Sequence, residues 1–354
     1  MSFLIPNKVL YHPKRLAQWL ETGDTIPINV KIDLTNVCNH NCPGCTGFGL
    51  IPISEVFGDK QDFDSLYKTM EQLKDFGVKG INFTGGGEPT LYKRFADITR
   101  HAYELGLEIG LISNGSFFQR LPMEEILKMF LWVRISLDGF DEESHKRTHG
   151  SKARFARTIE NMNRLAKIKK EQNLDVTLGA AYLTNQFADL DRNCYKFVEI
   201  VKDTGFDYAQ VRPSFGHFFD YDAIKIEEWK EMFKKLRSYE TDSFKVFSNE
   251  KKYEKIFAGN TDRTYTRCHA QSFKSTAITA TGDVYVCCTL SGVSSGYIGN
   301  INEQTFEEIW TGETRKKMLE NLDVSKCPKL CIGDELNEFL ESYSKNEPMH
   351  KNFL

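Results

Sequence analysis

From Val30 to Ser214, short runs with apolar residues at every second position or in continuous stretches alternate with longer runs at helical spacing. The first kind predicts strands at Val30–Thr35, Gly80–Thr84, Leu107–Ser113, Trp132–Leu137, Val176–Leu183 and Tyr208–Arg212. The second predicts helices at Phe63–Phe76, Arg94–Leu105, Met123–Phe130, Ala153–Lys170 and Ala188–Thr204. Strands and helices in strict alternation, joined by short links, imply a parallel sheet wound right-handed. Six strands are too few for a closed eightfold barrel, so the expected fold is α/β, a partial (β/α)6 TIM-type barrel over residues 29–215.

Residues 1–28 form a lead-in with an amphipathic turn around Leu16, Trp19 and Leu20, and 216–262 a Lys-rich, aromatic connecting segment with one helix at Ile226–Leu236. The remainder, 263–354, reads as a small α+β domain and tail. Strand-like runs Ser275–Ala280 and Asp283–Leu290 flank a Thr281-Gly282 turn, and a helix follows at Phe306–Leu319.

The chain has 354 residues, 40% of them apolar, and a net charge of −3. Interspersed acids and bases leave no basic footprint for nucleic acid. No apolar run reaches the ~18 residues a membrane span needs, and the start lacks a charged segment followed by an apolar core. A cytoplasmic location is expected, with no membrane partner.

Nine cysteines in such a chain point to metal ligation rather than disulfides. Three lie within eight residues, Cys38-x3-Cys42-x2-Cys45, on the loop after the first strand. Four others, Cys268, Cys287, Cys327 and Cys331, form a second set. Thiolate ligation selects zinc, copper(I) or an iron–sulfur cluster, and His40 could complete a zinc site with the first set. Four thiolates suit zinc or a [4Fe–4S] cluster equally well.

Polar motifs fall where the other strands end, the face on which such sheets bind ligands. Thr84-Gly85-Gly86-Gly87-Glu88-Pro89 follows the second strand, Ser113-Asn114-Gly115 ends the third, and Arg134-Ile135-Ser136-Leu137-Asp138-Gly139 ends the fourth. Singly, each reads as a turn or cap. Tyr182, Asn185, Arg212, Phe215 and His217, near the ends of the fifth and sixth strands, could face a substrate.

The cysteine loop, glycine motif and following signatures together resemble the radical S-adenosylmethionine (SAM) superfamily. That resemblance implies that Cys38, Cys42 and Cys45 bind three irons of a [4Fe–4S] cluster, and that SAM occupies the fourth. It implies SAM contacts from Gly86, Gly87, Glu88 and Pro89 to the methionine amino group, and from Asn114 and Ser136 to ribose and carboxylate, with Asp138 nearby. One departure is Gly44, where the family has an aromatic residue near the adenine; Phe48 is a candidate replacement. Cys268-x13-Gly282-x4-Cys287 resembles the SPASM extension in its shorter twitch form, implying a second [4Fe–4S] cluster on Cys268, Cys287, Cys327 and Cys331.

What the resemblance implies is reductive cleavage of SAM to a 5′-deoxyadenosyl radical and hydrogen abstraction from a substrate carbon, with oxidation, epimerisation or rearrangement to follow. A flavodoxin or ferredoxin would supply the electron. A small polar metabolite such as a sugar, aminocyclitol or nucleoside is the expected substrate, with a ribosomally made peptide as the alternative. A non-catalytic iron–sulfur or zinc protein is the reading from another class. Of the two spare thiols, Cys194 lies on an apolar helix face with Leu190, Phe197, Val198 and Val201. Cys288 is expected to share an apolar strand face with Val284, Val286 and Leu290; donation of hydrogen to a substrate radical is its alternative role.

Overall fold

A computed structural model describes residues 8–43, 45, 61–184, 187–213, 225–259, 262–274 and 276–345. After α1 (Pro13–Thr22), the chain runs through β1 (Asn29–Asp33), α2 (Phe63–Phe76), β2 (Gly80–Thr84), α3 (Phe95–Glu104), β3 (Glu108–Ser113), α4 (Met123–Ile126) and β4 (Trp132–Ser136). It continues with α5 (Glu142–His149), α6 (Phe155–Glu171), β5 (Thr177–Thr184), α7 (Ala188–Asp191), α8 (Cys194–Asp203) and β6 (Tyr208–Pro213). These six strands pair in parallel and in order, as the alternation predicts.

The sheet is larger than six strands. After α9 (Ile226–Arg237), β7 (Lys245–Ser248) adds in parallel to β6, and α10 (Glu250–Phe257) follows. On the other edge β8 (Ala277–Ile278) lies parallel to β1 and continues antiparallel into β9 (Asp283–Tyr285) and β10 (Tyr297–Asn300). The C-terminal segment is therefore hydrogen-bonded to the barrel's first strand. α11 (Phe306–Thr311), α12 (Glu313–Asn321) and α13 (Asp334–Lys345) complete it.

Where one helix is expected over Phe306–Leu319 there are two, because the chain is extended at Gly312. The stretch Ala188–Thr204 is likewise split at Arg192–Asn193.

One face of the sheet carries the core. Val30, Ile32, Ile81, Phe83, Ile109, Leu111, Val133, Ile135, Leu178, Ala180, Ala209 and Val211 are buried in one apolar cluster with the α2, α3, α6 and α8 helix residues. Strand alternation sends the intervening side chains inward. Lys31, Asp33, Asn82, Thr84, Arg134, Ser136, Gln210 and Arg212 thus line a polar lumen. Two glycines make room in it. A Cβ at Gly110 would sit 2.2 Å from the Trp132 ring, and one at Gly179 would sit 2.1 Å from that of Tyr208.

The lead-in packs on the C-terminal segment: Leu16 and Trp19 of α1 join Phe273, Leu336 and Leu340, while Leu20 stays exposed. Arg315, itself buried, holds Asp24 with two hydrogen bonds of 2.5 and 2.9 Å. No helix among the described residues is long and apolar enough to cross a membrane.

Candidate functional site

The loops after β1, β2 and β3 are stitched into one unit. Gly87 N donates to Thr35 O and Glu88 N to Val37 O, both at 2.9 Å. A side chain at Gly87 would meet Val37 O at 2.2 Å and Asn36 C at 2.6 Å, so the glycine motif is needed for the cysteine loop to lie against it.

Glu88 is buried, and its carboxylate accepts from Thr90 N (3.1 Å), Thr90 Oγ1 (2.5 Å), Ser113 Oγ (2.7 Å) and Asn114 N (2.8 Å). Burial pushes its pKa up while these donors pull it back. Three of the four bonds fall on Oε1; Oε2 takes one. Asn114, also buried, gives its amide to the scaffold: Nδ2 donates to Asn39 Oδ1 at 2.8 Å, and Oδ1 accepts from Ser116 N and Oγ at 3.0 and 2.7 Å. These two side chains hold the loops together whatever else they contact.

Cys38, Cys42 and Cys45 are half-buried on this unit. His40 N donates to Cys38 Sγ at 3.4 Å. Burial pushes the Cys38 thiol up to about 12, and Glu88, Cys42 and Cys45 add to it. A thiol so placed ionises only when a cation meets it, as a bound metal does.

Behind the loop stand three histidines. His145 and His149 face inward from α5, a helix whose buried side is otherwise polar, and its missing apolar period hides it from a sequence reading. Its start is marked in the sequence all the same, because Asp141 and Ser144 form a reciprocal cap with bonds of 2.7 and 3.0 Å. Gly139 allows α5 to come close, since a Cβ there would lie 2.8 Å from His145 backbone.

His149 Nδ1 is 3.5 Å from Cys42 Sγ and 3.4 Å from His40 Nδ1, and its Nε2 is 3.2 Å from Asp138 Oδ2. Burial opposes charge on His149, but Cys42 and Asp138 outweigh it and lift its pKa to about 10. Burial, then its histidine neighbours, hold His40 down at about 3. Asp138 has a left-handed backbone (φ 42°), and its Oδ1 accepts Leu183 N at 2.6 Å, tying the end of β4 to β5. Ser136 is half-buried on the inner face.

The second thiol set gathers on the C-terminal segment, with Cys287 near Lys31 of β1 and Cys331 near Lys274. Cys268 accepts from Asn337 Nδ2 at 3.6 Å and Cys331 from Gly333 N at 3.4 Å. Cys287 lies far above the usual thiol range through burial and the nearby Cys288, Cys331 and Cys268. Cys331 is pushed up to about 11 by burial, with Asp334, Cys268 and Cys327 adding to it. The loop that carries Cys327 and Cys331 is anchored by cations: Arg263 Nη2 donates to Cys327 O at 3.1 Å, Lys252 Nζ to Leu330 O at 3.1 Å, and Lys274 Nζ to Ile332 O at 3.1 Å.

Among the described residues, the group of three ligand atoms all within 4.8 Å of one another is that of His40, Cys42 and His149. No three sulfurs of the second set are that close.

Three expectations need correcting. Tyr182 does not face the lumen: it shares a strand face with Leu178 and Ala180, is buried, and packs on Phe197 with ring centroids 5.5 Å apart and its hydroxyl on Asp191. Tyr182→Phe is therefore expected to cost about 1 kcal/mol in a urea melt and to leave turnover unchanged.

Cys288 is not on a strand. β9 ends at Tyr285, a 3-10 turn begins at Cys288, and the thiol is half-buried near Lys31 and Lys274 rather than among the buried Val284 and Val286. The turn rotates it off the apolar face. Glu88 and Asn114, expected as ligand groups alone, are also the joints of the three loops. Arg212 does lie on the inner face, and Cys194 is buried on α8 as its apolar spacing predicts. Gly44, Phe48, Asn185, Phe215 and His217 lie outside the described residues.

The family model described as the radical SAM superfamily matches residues 32–190, and that of the SPASM iron–sulfur cluster-binding domain matches 268–333. The chain carries a radical SAM domain and a SPASM domain. Those two domains imply [4Fe–4S] clusters and SAM as cofactors.

Its relatives differ in what they act on. A PqqA peptide cyclase of Bradyrhizobium diazoefficiens is 29% identical over 169 residues, 47% of this chain and 42% of that protein. The chain thus spans less than half the length of that relative. An AdoMet-dependent heme synthase of Methanosarcina barkeri is 25% identical over 341 residues, covering 89% of this chain and 94% of the other. Streptococcus suis SuiB bound to S-adenosylmethionine shares the fold, with a TM-score of 0.64 and 17% identity over 87% of this chain and 71% of that one.

Proposed function

We propose that Cys38, Cys42 and Cys45 hold the SAM-binding cluster, that Cys268, Cys287, Cys327 and Cys331 hold one auxiliary cluster, and that the substrate lies in the barrel lumen between them. The observation that carries this is the backbone join of the cysteine loop to Gly87 and Glu88, with the second thiol set gathered separately near Lys31 and Lys252. Lys252 links the two regions, since its ammonium lies on the auxiliary loop and near Arg212 of β6.

The cluster that Cys38, Cys42 and Cys45 would hold would supply, with bound SAM and one electron from a reductant, a 5′-deoxyadenosyl radical for hydrogen abstraction from a substrate carbon. The chain's own part is placement. Gly86, Gly87 and Pro89 shape the wall on which the methionine moiety sits, and Glu88 Oε2 keeps acceptor capacity for its ammonium group. Ser136 and Asp138 bound the same space from β4.

A lumen lined by Lys31, Asp33, Arg134, Gln210 and Arg212 suits a small polar substrate, whose oxidation, epimerisation or rearrangement is the expected reaction. The second reading is peptide maturation. It is favoured by the likeness to PqqA peptide cyclase and, over 152 residues at 31% identity, to the Bacillus subtilis sporulation killing factor maturation protein SkfB.

Anaerobic reconstitution is expected to give about eight irons per chain, with the Mössbauer signature of two cubane clusters. Tightly bound zinc on the second thiol set of anaerobically prepared protein would overturn the assignment.

A further inference from the structure

Alternate residues of β6 face opposite ways. Ala209 and Val211 are buried against the helices, so Gln210 and Arg212 face the lumen. Register places Arg212 beside Leu183, which offers it no charge. Arg134, from β4, reaches the same region and donates from Nη1 to Gln210 Oε1 at 3.1 Å.

The Nε atoms of both arginines are buried without an acceptor. Among the described residues the Arg212 guanidinium makes no hydrogen bond or ion pair at all. The carboxylate that acts on it, Asp138, is already engaged by Leu183 N at 2.6 Å and His149 Nε2 at 3.2 Å. Burial and then the like charge of Arg134 hold the Arg212 pKa down at about 9. Lys252, fixed on the Leu330 and Cys331 carbonyls at 3.1 and 3.5 Å, adds a third cation beside them.

Two half-buried guanidiniums with idle, buried Nε donors, facing the same lumen from β4 and β6, destabilise the free protein. A guanidinium fork matches the paired oxygens of a carboxylate or phosphate, and such an anion would satisfy the idle donors and cancel the repulsion.

We propose that Arg212 and Arg134 form an oxyanion subsite that takes a carboxylate or phosphate group of the substrate. This rests on the reading that the substrate occupies the lumen. The methionine carboxylate of SAM is the other oxyanion of this chemistry. The motifs assigned to SAM sit on the loops after β1 to β4, whereas Arg212 is on β6, next to Lys252 and the auxiliary loop, which favours the substrate.

The test uses holoenzyme with both clusters, with and without SAM, melted in inorganic phosphate and in chloride at equal ionic strength. Phosphate should raise the wild-type Tm with SAM bound. Arg212→Met should lose that increment and melt higher than wild type in chloride, because a buried unpaired cation has gone. Arg212→Lys, which keeps the charge without the fork, should retain only part of the increment.

A wild-type Tm indifferent to phosphate, an undiminished increment in Arg212→Met, or a lower Tm of that variant in chloride would overturn the subsite. An increment that disappears when SAM binds would assign the anion to SAM and overturn the substrate claim. SAM cleavage is measured on the same preparations, so intact cleavage without a phosphate effect would remove the subsite and leave the proposed function standing.

Discussion

Replacing Cys38, Cys42 and Cys45 together with alanine should abolish SAM cleavage and leave about four of about eight irons on each chain. All three thiols are on one loop, and the second set is supported by unconnected groups: Asn337 for Cys268, Gly333 N for Cys331, and Arg263, Lys252 and Lys274 for the loop carbonyls. Removing the first set breaks none of these. The thiols are half-buried, and their loss leaves the Gly87–Thr35 and Glu88–Val37 backbone bonds in place, so the variant should fold. Iron analysis and product quantification after reduction check both halves. Loss of all eight irons would show that the two sets are not independent.

Glu88→Ala is expected to cost about 3–5 kcal/mol of stability, far more than a surface change. The truncation leaves Thr90 N, Ser113 Oγ and Asn114 N inside without their acceptor, and each buried orphan donor costs roughly 1–3 kcal/mol. Ser113 and Asn114 belong to the β3 loop and Glu88 to the β2 loop, so the joint beneath the cysteine loop opens too. Urea melts with Glu88→Gln alongside separate this from a pure ligand role. The glutamine keeps the shape and one acceptor oxygen, and should lose less. Unchanged stability of Glu88→Ala, with weaker SAM binding alone, would show that Glu88 acts only on the ligand.

The six parallel strands and the helices between them are readable because β1 to β6 have apolar residues on the helix-facing side and, apart from Ile112, Trp132, Leu183 and Tyr208, polar or small ones inside. β7 is only four residues long and follows a polar turn, too little for a periodic signal. α5 escapes because its buried face is His145 and His149.

Tyr182 was open to misplacement for a different reason. Leu178, Ala180 and Tyr182 on one face of β5 are no more apolar than Ala181 and Leu183 on the other, so the strand alone cannot say which is the lumen. In the site, cysteine and glycine spacings identify the two loops. That Glu88 and Asn114 also stitch them depends on side chains from separate strands, which no local pattern reveals. Cys288 shows the limit of extrapolating a strand's alternation past its end, because the face changes where β9 gives way to a turn.

The central claim is that this chain cleaves SAM at the Cys38–Cys45 loop, and it is tested most directly by reducing the anaerobically reconstituted protein with dithionite in the presence of SAM. The account predicts methionine and 5′-deoxyadenosine in equal amounts, formed by the wild type and not by the Cys38, Cys42, Cys45 variant. Persistent absence of both products from wild-type protein with its full iron content would contradict it.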